Sequence, residues 1–486
     1  MPQPLYITNS LTRTKELFEP INHPYVGLYV CGPTVSGESH LGHARPYVTF
    51  DVIYRYLQFI GYKVRYVRNI TDAGHFEEEG REAEDKVNEK AKLERLEPME
   101  LVQKYTNIYH DMMDALNCLR PAIEPTATGH IVEQIGMIQD IIKKGFAYEV
   151  NGSVYFDVTK YAQGNDYGKL SGRILEDMIA GSRDLDGQDE KRNAADFALW
   201  KKAPEQHIMR WNSPWGEGFP GWHIECSAMA SKYLGSPFDI HGGGMDLMFP
   251  HHESEIAQTK IATGCSPVKY WMHNNMITIN GRKMGKSYNN TITLREMFYG
   301  GNDVLERSYA PATVRFFILQ THYRSTLDFS NDALQAAEKG LQRLLNAYDT
   351  IAKLNPSATS SVSIEKIESD CYAAINDDFN TAIVVAQLFE AARIINSVNA
   401  GTEQLTATDI VLVKKLFDDF LFQIMGIKQV QQDNSADLTG IMDLVLEIRA
   451  NAKSKKDFET ADKIRNTLTA LGITIKDTKD GAEWSK

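Results

Sequence analysis

The apolar run Val26-Gly-Leu-Tyr-Val-Cys31 stops at Gly32-Pro33, as a buried strand stops at a turn. A second run covers residues 62–70. Between them Ile53, Tyr56, Leu57 and Ile60 recur at helical spacing and Gly61 supplies a stop, so residues 43–61 are predicted to form a helix joining two strands. Such a βαβ unit normally builds a parallel sheet, and ligands collect at the carboxyl ends of its strands. Cys31 and the segment after it sit at such an end.

From about residue 124 to 210 the texture changes, with a hairpin-like Ser153-Val-Tyr-Phe-Asp157 and a charged loop over 183–192; this reads as an insertion into the sheet domain. The sheet resumes near Gly221 and continues through Phe238-Asp-Ile-His241. After Ser330 the pattern is helical: Leu334, Ala337, Leu341, Leu344, Tyr348 and Ile351 alternate steps of three and four, as do apolar positions over 388–398 and 410–424. Bundle core is the expectation, since too few heptads continue unbroken for a coiled-coil seam. Polar linkers at 356–361 and 429–435 mark further boundaries. The expected divisions are 1–123 and 211–265 for the sheet domain, 124–210 for the insertion, 266–330 for a following region, 331–428 for the bundle and 437–486 for a small C-terminal piece.

The chain has 486 residues, 43% hydrophobic and 24% charged, with 34 Gly and 17 Pro, which excludes collagen-like and largely disordered classes. No apolar run approaches a membrane span and residues 1–20 lack a secretory pattern, so a cytoplasmic protein without a membrane partner is expected. The five cysteines are odd in number and far apart, which argues against a disulfide framework and leaves thiols or metal ligands. A net charge of -12 excludes a generally basic nucleic-acid binder, but not one that uses local patches. Candidate patches are Arg282, Lys283 and Lys286, and the group Arg449, Lys453, Lys455, Lys456, Lys463 and Arg465, which on charge alone reads more readily as a solvated helix face.

Three constellations carry candidate chemistry. His40-Leu-Gly-His43 lies at the entrance to the first helix, where amide donors and the helix dipole suit phosphate and Gly42 allows close approach. The two imidazoles can donate to phosphates as charge builds, or be satisfied locally. Lys283-Met-Gly-Lys-Ser287 offers two lysines to one polyphosphate, although K-x-x-K pairs are also common on surfaces. Cys226, His251 and Glu255, with Cys31 upstream, make a mixed ligand set suited to tetrahedral zinc, with His251 and Glu255 on one helix face. Neither C-x-x-C nor H-E-x-x-H is present, so spacing leaves a scattered set of unrelated residues as the alternative.

These segments, with Tyr29-Val-Cys-Gly-Pro-Thr-Val35, Tyr66-Val-Arg-Asn-Ile-Thr-Asp72, Pro220-Gly-Trp-His-Ile-Glu-Cys-Ser-Ala-Met229, the stretch over 238–258 and Asp377-Asp-Phe-Asn-Thr381, resemble the class I aminoacyl-tRNA synthetases and, among them, the cysteinyl-tRNA synthetase family. The resemblance implies an α/β chain: a Rossmann-type parallel-sheet catalytic domain with an inserted connective domain, followed by an α-helical bundle and a small C-terminal domain. Residues 266–330 would be a stem-contact region carrying the signature loop, the bundle would bind tRNA, and 437–486 would recognise the anticodon.

It further implies one zinc per chain, held by Cys31, Cys226, His251 and Glu255 and taking the thiolate of substrate L-cysteine. A pocket sensing size alone gains about 1–3 kcal/mol against serine, whereas discrimination of about 10⁴ needs near 5.5 kcal/mol. Soft sulfur on zinc would supply the difference. Gly32, Thr71, Trp222 and His241 would line the amino-acid pocket. Gly242, Gly243 and Gly244 would let adenosine pack on backbone, with Asp246 near the ribose. The carboxylate of cysteine would attack the α-phosphate of Mg·ATP while His40, His43, Lys283 and Lys286 stabilise the charge, and the cysteinyl group would pass to the 2′-hydroxyl of the terminal adenosine of tRNA-Cys. The acting form would be a monomer. Lys453, Phe458, Asp462 and Asp477 would read the anticodon, with Phe458 stacked on a base or else placed in a core.

The chain departs from the family pattern at Gly285, where Ser is usual, at Ser36, where an aromatic is frequent, and at Asn289-Asn290. None of these removes a charged or ligating group. Competing expectations are a ligase joining cysteine to another amine, which would not need the last 150 or so residues, a non-catalytic RNA-binding paralogue, which would have lost ligands or lysines, and a zinc hydrolase, which needs an open metal position for water.

Overall fold

The computed structural model describes all residues except 1–3, 74–90, 92–95, 176–189, 206, 286, 287, 289, 429–433, 472, 479, 480 and 486. Two compact units, Met1–Ile427 and Lys428–Lys486, make up the chain.

At the centre of the first unit is a parallel sheet. Strand β1 (Tyr25–Val30) leads through helix α1 (Leu41–Phe59) to β2 (Lys63–Arg68); much later helix α2 (Trp222–Leu234) precedes β3 (Phe238–Gly244), and helix α3 (His251–Thr263) precedes β4 (Val268–Asn274). The spatial order is β4-β3-β1-β2, with His241 opposite Tyr29 and Val30 opposite Arg68. The chain leaves β1 towards β2 on one side and returns as β3 on the other, so the crevice beyond β1 and β3 is the switch point where such sheets bind ligands. Helix α1 starts at Leu41, two residues before the predicted start. The backbone N–H of His40 donates to His43 Nδ1 at 3.1 Å, a local cap by histidine that the usual cap preferences do not anticipate.

The insertion folds as an antiparallel sheet of five strands, Ala147–Val150, Ser153–Phe156, Phe197–Lys202, Gly216–Pro220 and Trp211–Ser213 in spatial order. Its sheet runs to Pro220, past residue 210, because the last two strands pair as a hairpin and join Phe197–Lys202. Its core takes in Ile224 of α2 and Ala257 of α3, so the helices that carry candidate ligands are seated on it. Residues Ile277–Ile279, Arg282–Lys283 and Leu327–Phe329 form a small sheet at the base of the signature loop. Helices Asn331–Ile351, Ile364–Asn376, Thr381–Asn399 and Ala407–Leu416 and a π-helical turn, Phe417–Ile424, form the bundle. One apolar core continues from Leu28 and Val30 through Phe316 to Leu334, Leu388 and Phe420. Among the described helices Thr381–Asn399 is long and apolar enough to cross a membrane; its Leu388, Ala391 and Ile395 lie in the bundle core.

A charged knot pins α1 to this core. Arg315, fully buried, donates to Met425 O at 2.6 Å and Leu116 O at 2.9 Å and pairs with the Asp51 carboxylate, which also accepts from Arg55 Nε at 2.7 Å. The second unit packs helices Asn434–Ser454 and Phe458–Ala470 with the hairpin Thr474–Thr478/Gly481–Ser485 around Met442, Leu468 and Ile473.

Asp51→Ala leaves the Arg315 guanidinium buried without its carboxylate, and is predicted to cost about 3–5 kcal/mol in denaturant unfolding. Arg393→Ala, which breaks exposed pairs with Glu390 and Glu403, should leave the unfolding midpoint essentially unchanged in the same measurement.

Candidate active site and metal centre

Cys31 follows β1 directly, Cys226 lies in the second turn of α2, and His251 and Glu255 share one face of α3 at its start. All four are buried, and their ligand atoms lie within 4.8 Å of one another. The two sulfurs are 3.7 Å apart and both thiols are free. Tetrahedral zinc with bonds of about 2.3 Å sets its sulfurs about 3.8 Å apart. Glu255 Oε1 is 3.1 Å from His251 Nε2 and 3.9 Å from Cys31 Sγ. The donor set and its spacing therefore fit a thiophilic divalent ion.

The electrostatics point the same way. Burial would raise the Cys226 thiol, but its hydrogen bond with Cys31 and the nearby His251 outweigh that and bring it to about 6. Burial, and then Cys226, hold Cys31 well above the ordinary range. His251, against burial, is raised to about 10 by Cys226 and Glu255, while Glu255, against the same burial, is lowered to about 2 by His241 and His251. The protons on Cys31 and His251 thus stand where a divalent cation would, and its binding would release both.

A second set, Cys31, His241, His252 and Glu255, also brings its ligand atoms within 4.8 Å. It shares two members with the first and contains one sulfur where the first has two. His252 Nε2 is 3.2 Å from Cys31 Sγ, and its Nδ1 is 2.8 Å from His273 Nε2. His223 Nδ1 lies 3.0 Å from His251 Nδ1. Burial keeps His252 and His223 neutral, well below the usual imidazole range. This layer of histidines behind the ligands was not predicted; its one sequence signal is the doublet His251-His252.

The predicted pocket residues gather beside the cluster. The Trp222 ring lies 4.4 Å from that of His251, His241 Nε2 is 3.0 Å from Glu255 Oε2, and Thr71 Oγ1 donates to Glu225 Oε2 at 2.9 Å. Glycines 242–244 are also required by packing within the protein. A Cβ at Gly242 would meet the Phe50 ring at 2.2 Å, at Gly243 His252 Cε1 at 2.8 Å and at Gly244 Asp246 Oδ1 at 2.4 Å. Their missing side chains make room for neighbours within the protein. Asp246 is exposed on the turn after β3.

The two signature segments are tied together. Leu41 N donates to Ile292 O at 2.9 Å and Leu294 N to Ser39 O at 2.8 Å, and a Cβ at Gly42 would come within 2.7 Å of Met284 Cε. Asn290 clips the loop, accepting from Gly285 N at 2.9 Å and donating to Lys283 O at 3.1 Å. Lys283 is exposed; Lys286 lies outside the described residues. The His40 and His43 rings stack with centroids 3.8 Å apart. In the second unit Lys453 and Asp462 are exposed and Phe458 is 63% exposed at the start of its helix, so Phe458 is not a core aromatic. Asp477 pairs with Ala482 across the hairpin.

Comparison with known proteins decides the family. Residues 17–339 match the class I (C) tRNA synthetase catalytic domain, 371–428 the DALR domain, and 435–484 the cysteinyl-tRNA ligase anticodon binding domain. The cysteine–tRNA ligase of Bacteroides thetaiotaomicron is 60% identical over 100% of this chain and 99% of its own length. The enzymes of the same name from Porphyromonas gingivalis and Chlorobaculum tepidum are 58% and 47% identical, each over 99% of its own length and 100% and 99% of this chain. The chain belongs to the cysteine–tRNA ligase family. Among solved structures, methionyl-tRNA synthetase of Mycobacterium tuberculosis bound by methionyl-adenylate superposes with a TM-score of 0.59 at 13% identity, over 82% of this chain and 92% of that one. LeuRS of Agrobacterium radiobacter K84, in a ternary complex with tRNA and LeuAMS, gives 0.54 at 11% identity, over 85% and 86%. These two show that the ligase shares the class I fold.

His43 accepts at Nδ1, so its proton sits on Nε2, and burial followed by His40 lowers its imidazole to about 3. The unfolded chain protonates this group below about pH 6.5. Stability from this source is therefore complete above about pH 6.5 and is lost as pH falls through the window down to about 3. His43→Asn is predicted to flatten the dependence of unfolding free energy on pH there by up to about 1.4 kcal/mol per pH unit; an unchanged slope would contradict a neutral His43.

Proposed function

We infer that the chain is a cysteine–tRNA ligase. It activates L-cysteine with ATP to cysteinyl-adenylate and pyrophosphate, and transfers the cysteinyl group to the 2′-hydroxyl of the terminal adenosine of tRNA-Cys. The observation that carries the amino-acid assignment is the pair of buried sulfurs 3.7 Å apart beside one imidazole and one carboxylate, at the switch point of the sheet. Zinc is the metal assigned to Cys31, Cys226, His251 and Glu255, in preference to the second set because two sulfurs suit it better than one. When bound it supplies a soft Lewis acid that ionises a thiol far more readily than an alcohol.

The chain's own residues do the rest. Trp222 and His241 wall the ligand cluster and restrict what reaches it, and Thr71 with Gly32 bounds the pocket towards β1. His43 presents a neutral Nε2–H that can donate to a phosphate oxygen, and His40 stacks against it to hold that orientation. Lys283 and Lys286 contribute positive charge to the polyphosphate of Mg·ATP, and the Asn290 clip fixes the backbone of Lys283. Asp246, exposed beyond β3, is assigned to the ribose, with Gly243 shaping the floor beneath. Lys453, Phe458, Asp462 and Asp477 in the second unit are assigned to the anticodon, Phe458 being exposed and so available for stacking. A monomer working in the cytoplasm is the acting form in this reading. A cysteine ligase for another amine would have no use for the domains matched at 371–428 and 435–484.

The test is ATP-dependent transfer of labelled cysteine to unfractionated tRNA by the zinc-loaded protein, with labelled serine in parallel. Cysteine charging with serine charging lower by about 10⁴ is expected. Comparable charging of both would remove the sulfur-based selection, and adenylate formation without charging would move the assignment to a different acceptor.

A further inference from the structure

Three segments of the site, distant in sequence, meet on one buried amide. Asn69 lies just after β2 and is 1% exposed. Its Oδ1 accepts from the backbone N–H of Gly32 at 2.8 Å and lies 3.7 Å from Cys226 Sγ; its Nδ2 donates to Thr71 Oγ1 at 3.1 Å. The orientation of the amide follows from its partners, since a backbone N–H can only donate and so must face Oδ1. Backbone packing reinforces the junction. A Cβ at Gly32 would fall 1.5 Å from the carbonyl oxygen of Asn69, and Thr71 N donates to Pro33 O at 3.0 Å. The loop after β1 is thereby pressed against the loop after β2, with Asn69 as the side-chain bolt.

We propose that Asn69 is a positioning residue for amino-acid selection, and that by holding Gly32, Cys226 and Thr71 in one register it sets the span between the metal centre and the pocket wall. This rests on the ligase assignment above. A pocket that grips a small amino acid at its sulfur and at its backbone end senses the distance between those two points, so a loosened span costs cysteine binding before it costs ATP binding. Asn69 acts through Thr71 and the two loops.

Asn69→Asp is isosteric, keeps an acceptor for Gly32 and lacks the donor for Thr71; Asn69→Ser removes both contacts with a smaller polar group. In cysteine-dependent ATP–pyrophosphate exchange, both variants are expected to raise KM for cysteine on the order of tenfold while KM for ATP stays within about twofold. Metal analysis should still find one zinc per chain. In a Thr71→Val background, Asn69→Asp should add less than about twofold, because the hydroxyl through which it acts is gone. Fully additive losses, KM for ATP rising with KM for cysteine, or zinc lost in proportion to activity would each overturn the role. The unsubstituted protein run alongside separates the two levels: no cysteine-dependent exchange there removes the ligase assignment, whereas normal exchange beside unaltered variants removes only the role of Asn69.

Discussion

Two thiols, an imidazole and a carboxylate, each at most 8% exposed, converge at the end of β1. Ionisable groups are buried together only where charge is balanced, because leaving one unpaired costs several kcal/mol. That constraint organises the centre of the fold. Cys31 must sit at the C-terminal edge of β1, which the parallel register with β2 and β3 fixes. Cys226 and Glu255 must come from adjacent helices, and α2 and α3 are held side by side by Ser227 Oγ donating to Gln258 Oε1 at 2.6 Å and by the shared apolar core of the insertion. The insertion thus acts partly as a brace for the ligand-bearing helices. The histidines behind them are kept neutral by burial, so they add hydrogen-bonding capacity without adding charge.

The start of α1 and the signature loop are built by a different route. His40, Gly42 and His43 occupy the start of α1, and the signature loop is tied to that same start by backbone hydrogen bonds from Leu41 and Leu294. Helix α1 is in turn anchored by Asp51 and Arg315 to the core that continues into the bundle. Two clusters therefore meet at the sheet edge: the buried Cys, His and Glu side chains carried by β1, α2 and α3, and the histidine-bearing start of α1 with the signature loop tied to it.

The strand–helix–strand unit, the helical bundle and the place of Cys31 were legible in the sequence, because local period and a Gly-Pro stop encode them directly. The ligand set was not legible from spacing, since Cys31 and Cys226 are 195 residues apart; the family resemblance supplied it. Asn69 and His252 were missed for the same physical reason: each works through contacts with remote residues, Gly32 and His273, that no local pattern records. The insertion was expected to end at residue 210 because the change of texture is the only local cue there, yet the hairpin over 211–220 pairs with Phe197–Lys202 and extends its sheet to Pro220. Gly242 and Gly243 read as ligand-facing from the family resemblance alone; the close packing of Phe50 and His252, which also requires glycine there, leaves no local pattern in the sequence.

The claim on which these relations turn is that the dithiolate cluster holds a metal that takes substrate sulfur directly. Metal-free protein reconstituted with Co²⁺ tests it through the thiolate-to-metal charge-transfer absorption. Cobalt bound by Cys31 and Cys226 should show that band, and L-cysteine should strengthen it while L-serine leaves it unchanged, because a third sulfur joins the metal. No band, or an equal response to both amino acids, would contradict selection at the metal.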